Sequence, residues 1–415
     1  MTRICILGGG FGGLYTALNL ARLPWAVNPE IILIDKSDRF LFTPFLYELV
    51  TSELQEWEIA PTFAELLVDT GITFIQGLVT NIDFETKQVE VNVGQRSILQ
   101  DVVRYDRLVL AIGGETPMNL VDGAAEHAIP FRTLNDFYRL NSKLELLEAS
   151  NRDKIRICIA GGGSSGVELA CKIADRLKVR AKDRGRVRLV NRNDKILANS
   201  PPANRLIAER ALLQRGVWTD LNTRVSQITE SEVTLDYASG SDTLPVDILL
   251  WTVGSTFSKL LQNLPVEHRQ PINSQNNRNR QGAIATESTL QVKQHPNVFA
   301  IGDLAGCFDD SGTLLPATAQ VAFQQSQYCA WNIWASLNQK PLVSFSYIPL
   351  GEFISLGVDG ATASIFGKFT VDGLPAHFMR RFAYLLRMPT WQHQLKIGSH
   401  WLTKPLTELF RKSAV

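Results

Sequence analysis

The sequence is poor in cysteine, almost neutral in charge, and without an apolar run long enough to cross a bilayer. Its five cysteines, Cys5, Cys158, Cys171, Cys307 and Cys329, are scattered through 415 residues. No two stand at C-x-x-C spacing and no Cys/His cluster occurs, so no zinc or other metal site is expected. An odd, scattered count favours a reducing compartment. Cys5 and Cys158 each fall inside an apolar run, where a thiol serves as a small core side chain. A net charge of +1 gives the molecule as a whole no electrostatic grip on nucleic acid. No stretch approaches about 18 consecutive apolar residues, so no membrane-spanning helix is expected. The first apolar strand starts at Ile4, so no signal or transit peptide is expected ahead of it.

What the sequence does contain is one pattern written twice. RICILGGGFGGLYTALNLARL runs from an apolar strand through glycines into a helix, with Gly8, Gly10 and Gly13 at the G-x-G-x-x-G positions. The first glycine allows the tight turn, the second lets a pyrophosphate approach the backbone, and the third lets helix and strand pack closely. The next strand, EIILID, ends at Asp35, whose carboxylate is placed to accept from ribose hydroxyls. IRICIAGGGSSGVELACKIADRL repeats the arrangement with Gly161, Gly163 and Gly166, and its second strand, RVRLVN, ends at Asn191. Two complete fingerprints predict two dinucleotide-binding domains.

Three further strand ends fit the same plan. Tyr105 to Gly113 is an apolar strand closing on Ala111 and Gly113, and Asp247 to Gly254 has the same shape in the second half. NVFAIGD then sets Gly302 and Asp303 at a strand tip, where an acid can hold a ribityl hydroxyl. The next segment, LLPATAQVAFQQSQ, predicts a helix capped by Thr318, with Gln320 and Gln324 on one face. Its positive N-terminal end suits a reduced, anionic ring.

This layout resembles the two-dinucleotide-binding-domain flavoproteins, and within them the type II NAD(P)H:quinone oxidoreductases. The resemblance implies an α/β fold of two Rossmann-like domains, and the stretch SYIPLGEFISLGVDGATASIFGKFTVDG, which alternates apolar residues and glycines, predicts a C-terminal β-meander leading to amphipathic helices. It implies a discontinuous FAD domain at 1–113 and 285–345, an NAD(P)H domain at 114–284, and a C-terminal region at 346–415 that joins the core to a membrane surface. FAD is expected to bind non-covalently, through Gly8, Gly10, Phe11, Gly13, Asp35, Lys36, Pro44, Ala111, Gly113, Gly302, Asp303 and Ala319. The nicotinamide nucleotide is expected at Gly161, Gly163, Gly166, Asn191, Arg192 and Gly254.

The segment after the first acid, FLFTPFLYELVTSEL, holds no cysteine pair, unlike the disulfide reductases it otherwise resembles. Electrons are therefore expected to pass directly to a small acceptor. Ala319–Gln324 is similar to the family's quinone-site motif A-Q-x-A-x-Q, with Phe42, Pro44, Phe45 and Tyr47 as an apolar wall. Glu168, Gln320 and Gln324 are the catalytic candidates, with Glu168 placed to supply a proton. Where NADH-using relatives carry a glutamate, this chain has Asn191 followed by Arg192. Loss of the acid and gain of a guanidinium predict NADPH over NADH. The same pair and the FLFTPFLYEL segment most resemble a cyanobacterial branch that reduces demethylphylloquinone in phylloquinone synthesis.

From Gly373 onward Arg380, Arg381, Arg387, Lys396, Lys404, Arg411 and Lys412 face one acid, Glu408, among aromatic residues. That composition predicts an interfacial anchor to the cytoplasmic face of a plasma or thylakoid membrane, where a naphthoquinone is available. A helix pair packed on the body or across a homodimer seam is the competing expectation. Two other functions remain open at this point: a soluble reductase serving a ferredoxin-like protein, and a redox sensor that binds FAD and NADPH.

Overall fold

The computed structural model describes residues 1–94, 101–269, 282–309 and 312–412, with backbone alone from 404 onward. It divides into two compact units. The first comprises Met1–Phe40, Ala60–Glu115 and Ser255–Ile348; the second comprises Leu41–Ile59, Thr116–Gly254 and Pro349–Val415. Three segments fall differently from the sequence-based division. Residues 41–59 and the C-terminal region belong to the second unit, and 255–284 to the first.

The first unit is built on a six-stranded sheet in the order 291–292, 295–300, 107–110, 3–7, 30–35, 72–76. Every pairing except that of the 291–292 edge is parallel. Strands buried on both faces need continuous apolar runs, and Ile4 to Leu7, Ile31 to Ile34 and Leu108 to Leu110 are almost wholly inaccessible to solvent. In register Leu7 pairs with Leu110, and Ala300 with Leu110. Three strands therefore end in one row. Gly8, the run Ala111 to Gly113, and Gly302 with Asp303 leave those ends at one edge of the sheet. In an open parallel sheet that carboxyl edge is where ligands bind. Helix Phe11–Ala21 packs on helix Ala319–Leu337, with Tyr15 and Phe323 meeting edge to face at 4.8 Å.

The second unit repeats the design with a five-stranded parallel sheet ordered 218–220, 185–190, 155–160, 248–251, 128–130. Each unit also carries a three-stranded antiparallel sheet: 78–83, 88–92 and 101–104 in the first, 224–228, 232–237 and 240–245 in the second. The expected C-terminal meander is the antiparallel sheet Gly351–Ser355, Ala361–Ile365 and Phe369–Asp372. Helix Gly373–Leu385 covers it through Ala361, Ala363 and Ala376. Asn204 ties this sheet to the nucleotide fold, donating to Glu352 at 3.0 Å and accepting from Thr362 at 2.9 Å.

Candidate functional site

The two glycine loops match in their chemistry. Gly8 donates to Ile34 O at 2.8 Å and Gly161 to Val190 O at 2.9 Å, and both have positive φ, +99° and +112°. A Cβ on Gly13 would stand 1.8 Å from Gly8 O, and one on Gly166 would stand 1.8 Å from Gly161 O. These glycines are therefore required by the protein itself. Gly10 and Gly163 are different. Their φ values, −75° and −77°, suit any residue, and a Cβ on either would meet nothing within 4 Å. Each stands at the N-cap of a helix that has no side-chain cap. Open space before uncapped helix amides is what a pyrophosphate requires, so the residues present fit a dinucleotide in each unit.

The strand-end residues complete the correspondence. Asp35 Oδ2 accepts from Gly9 N at 2.6 Å and its Oδ1 from Ser37 N at 2.8 Å; burial nonetheless outweighs these bonds and raises its carboxyl above the ordinary value. Asn191 Oδ1 likewise accepts from Gly162 N, at 3.2 Å. Its other end is a donor, and it donates to Lys195 O at 2.9 Å and Asn193 O at 3.3 Å. The amide is thus buried within the protein and shapes the loop after it, while Arg192 and Lys36 are exposed. Phe11 opens the first helix, with its ring 5.3 Å from that of Phe40. Ala111 N donates to Leu7 O at 2.8 Å, and Gly113 and Gly254 occupy matching turns with φ of +75° and +81°.

At the third strand end of the first unit, Gly302 donates to Gln325 Oε1 at 2.6 Å, and Gln325 Nε2 donates to Cys307 Sγ at 3.2 Å. Gln325 is buried and was not anticipated from the sequence, although it sits beside Gln324. Thr318 caps the helix that starts at Ala319, accepting from Val321 N at 3.3 Å. Gln324 spends both ends of its amide on Ile348, donating to its carbonyl at 2.8 Å and accepting from its N–H at 3.0 Å. Gln320 accepts from the Tyr347 hydroxyl. The two glutamines therefore pin the segment 347–348.

The aromatic segment expected to form an acceptor wall, with Phe42, Pro44, Phe45 and Tyr47, belongs to the second unit, as does Glu168. There Tyr47 donates to Ser165 Oγ at 2.9 Å, and its ring lies 5.6 Å from Phe131. Glu168 is the fifth residue of helix Ser164–Arg180 and is buried, so it is no solvated first-turn acid. Its Oε1 accepts from Ser355 N at 2.8 Å and lies 4.0 Å from Arg380 Nη2. Burial raises its carboxyl to about 7, against the opposing pull of Arg380 and the Ser355 amide.

Arg380 departs from its place in the basic surface tally. It is fully buried, bonded to Glu48 and to Pro44 O at 2.6 Å, with its guanidinium carbon 5.2 Å from the Phe45 ring centroid and 5.1 Å from that of Tyr384. Arg381 lies 3.7 Å from Glu53 and 5.3 Å from the Trp401 ring centroid. The side chains of Lys404, Glu408, Arg411 and Lys412 lie outside the described residues. Leu374, Phe378 and Phe382, at four-residue steps, are exposed on one stripe of the first C-terminal helix, and Trp391, Leu395 and Leu402 are exposed on the second. Among the described residues no helix is long and apolar enough to cross a membrane, and no group of acidic, histidine or cysteine side chains converges to hold a metal ion.

Comparison with known proteins gives the same picture. Residues 2–326 match the family model of the pyridine nucleotide-disulphide oxidoreductases. The chain is 50% identical over 406 residues to the demethylphylloquinone reductase NdbB of Synechocystis sp., covering 97% of this chain and 96% of that protein. It is 40% identical to the alternative NAD(P)H-ubiquinone oxidoreductase C1 of Arabidopsis thaliana, covering 97% and 80%. In fold it is similar to NDH2 of Plasmodium falciparum solved with NADH, with a TM-score of 0.82 at 16% identity, covering 97% and 98% of the two chains. The chain belongs to the pyridine nucleotide-disulphide oxidoreductases and, within them, to the type II NAD(P)H:quinone oxidoreductases.

Proposed function

We propose that this protein is a flavin-dependent NAD(P)H:quinone oxidoreductase that binds FAD in the first unit and NADPH, in preference to NADH, in the second. Its acceptor is a naphthoquinone of the demethylphylloquinone type, the substrate named for its Synechocystis relative. The observation that carries this reading is the pair of open glycines, Gly10 and Gly163, each facing space that the chain leaves unfilled. When bound, the flavin supplies the two-electron chemistry that links a nicotinamide to a quinone.

The chain's own residues bind, orient and handle protons. Asp35 and Asp303 hold ribose and ribityl hydroxyls in the first unit, and the capped start of the 319–337 helix favours negative charge near Ala319. In the second unit the loop held by Asn191 presents Arg192, whose planar fork suits a 2′-phosphate. Gln320 and Gln324 hold Tyr347 and Ile348 in place on the acceptor side. Quinol formation consumes protons, and a carboxyl that titrates at about 7 is suited to hold and release one at working pH. The exposed apolar stripe at Leu374, Phe378 and Phe382 supports seating at a membrane surface on the cytoplasmic side.

Two valine variants test the cofactor assignment separately. Neither Gly10→Val nor Gly163→Val meets the protein's own atoms at Cβ, so both are expected to fold. Gly10→Val should be purified without flavin, whereas Gly163→Val should keep its flavin and lose NADPH binding. A fully flavinylated Gly10→Val protein would overturn the assignment of FAD to the first unit.

A further inference from the structure

A buried charge cluster surrounds Glu168 in the second unit, and it includes a lysine that no sequence motif marks. Lys172 lies one helical turn after Glu168, on the same face, and is completely buried. Its ammonium bonds to Glu53 and lies 3.7 Å from Glu48 Oε1. Glu48 in turn bonds to Arg380, which reaches toward Glu168, while Arg381 faces Glu53. Three cations, Lys172, Arg380 and Arg381, thus meet three carboxylates, Glu48, Glu53 and Glu168.

We propose that Lys172 is a positioning residue for proton handling at Glu168: its buried ammonium, held by Glu53 and Glu48, is the charge that leaves the cluster neutral when Glu168 is ionised. This rests on the proposed role of Glu168 as the proton-holding group. An apolar side chain of similar volume would satisfy a helix packed in this way at lower desolvation cost. The lysine therefore adds charge balance rather than packing. With it, the cluster is neutral when Glu168 is ionised. Without it, the cluster is neutral only when Glu168 keeps its proton.

Arg380, 4.0 Å from Glu168, is the stronger opposing charge, but it is bonded to Glu48, and without Lys172 the cluster is one cation short; the remaining groups around Glu168 supply no further cation. Burial raises the Tyr47 phenol and pushes the Tyr384 phenol and the Cys171 thiol to about 12, so all three stay protonated. Burial, reinforced by Arg381, Lys172 and Arg380, lowers His377 to about 4, so it stays neutral. The Ser355 amide is a fixed dipole. At Glu48, burial alone would favour the acid, but Arg380 and Lys172 outweigh it and hold the carboxyl below its ordinary value. The carboxyl left to respond at neutral pH is that of Glu168.

The test uses the flavin-loaded protein and compares wild type with Lys172→Met, Lys172→Arg, Glu53→Gln and Glu168→Gln. Two readouts are followed against pH: kcat/KM for a water-soluble naphthoquinone, and the midpoint of thermal unfolding. Lys172→Met should move the alkaline limb of both profiles upward by about one unit or more, and Lys172→Arg should restore it. Glu53→Gln removes a carboxylate and should move the limb the other way, which general destabilisation would not do. Glu168→Gln should abolish the limb. If Glu168→Gln abolishes it but Lys172→Met and Glu53→Gln keep the wild-type midpoint, Lys172 is a packing residue and the inference fails. If Glu168→Gln keeps the limb, the proposed role of Glu168 fails with it.

Discussion

Asn191→Asp is nearly isosteric and changes only what the far end of one side chain offers. In the native loop Oδ1 accepts from Gly162 N, which an aspartate would preserve, whereas Nδ2 donates to Asn193 O and Lys195 O at 3.3 and 2.9 Å. The aspartate would instead turn an acceptor toward two carbonyls in a buried setting. A buried polar group left without its partner costs about 1–3 kcal/mol, so the two lost bonds together amount to roughly 2–4 kcal/mol. For a unit of this size that lowers the unfolding midpoint by on the order of 5–10 °C, measurable by release of flavin fluorescence on heating. The new carboxylate also repels a 2′-phosphate, by about 4 kcal/mol at contact for an effective dielectric near 20. Screening at an open site reduces that, so discrimination between 2′,5′-ADP and 5′-AMP should fall by roughly tenfold or more. Calorimetric titration with the two fragments reads it directly. An Asn191→Asp protein that melts with the wild type and keeps its preference would refute both the clamp and the NADPH reading.

Glu168 carries a linkage prediction whose sign is set by its raised carboxyl. The folded state holds this proton more tightly than the unfolded chain, so its contribution is complete below the ordinary value of 4.5 and is lost as pH rises to about 7. The difference, at 1.36 kcal/mol per unit, is about 3 kcal/mol. Wild type should lose that much relative to Glu168→Gln across the window, and parallel stability curves would contradict it. At the C-terminus, Phe378→Ser with Phe382→Ser should weaken flotation on anionic vesicles, and moderate salt should weaken it further for the full chain. Unchanged flotation under both treatments, with a dimer in solution, would assign the stripe to a second copy instead.

The elements legible in the sequence are those governed by local physics. Strands buried on both faces must be continuously apolar, and the glycines must come directly after them, so Arg3–Leu7 and Ile155–Ala160 with their turns were visible at once. The C-terminal meander was legible from a different pattern, the alternation of apolar residues and glycines between Ser346 and Gly373. Long-range pairing of charge was not. Glu48 and Arg380 are 332 residues apart, and nothing near Arg380 marks it as a cation that turns inward from a basic helix. The signal that was available is the opposite one: Glu48 within FLYEL and Lys172 within LACKIA are lone charges in apolar runs, which a helix face does not bury without a partner. Gln320 and Gln324 were correctly placed on one helix face, but their partners, Tyr347 and Ile348, lie in an irregular segment with no periodicity to read. The assignment of 41–59 to the second unit was equally hidden, since it depends on contacts and not on pattern.

Anaerobic stopped-flow mixing of the purified, flavin-loaded protein tests the central claim most directly. NADPH should bleach the visible flavin absorbance, and a naphthoquinone added in a second mix should restore it, each at a rate no slower than steady-state turnover. A flavin that stays oxidised with both NADPH and NADH, or a reduced flavin that the quinone reoxidises more slowly than turnover, would contradict the account.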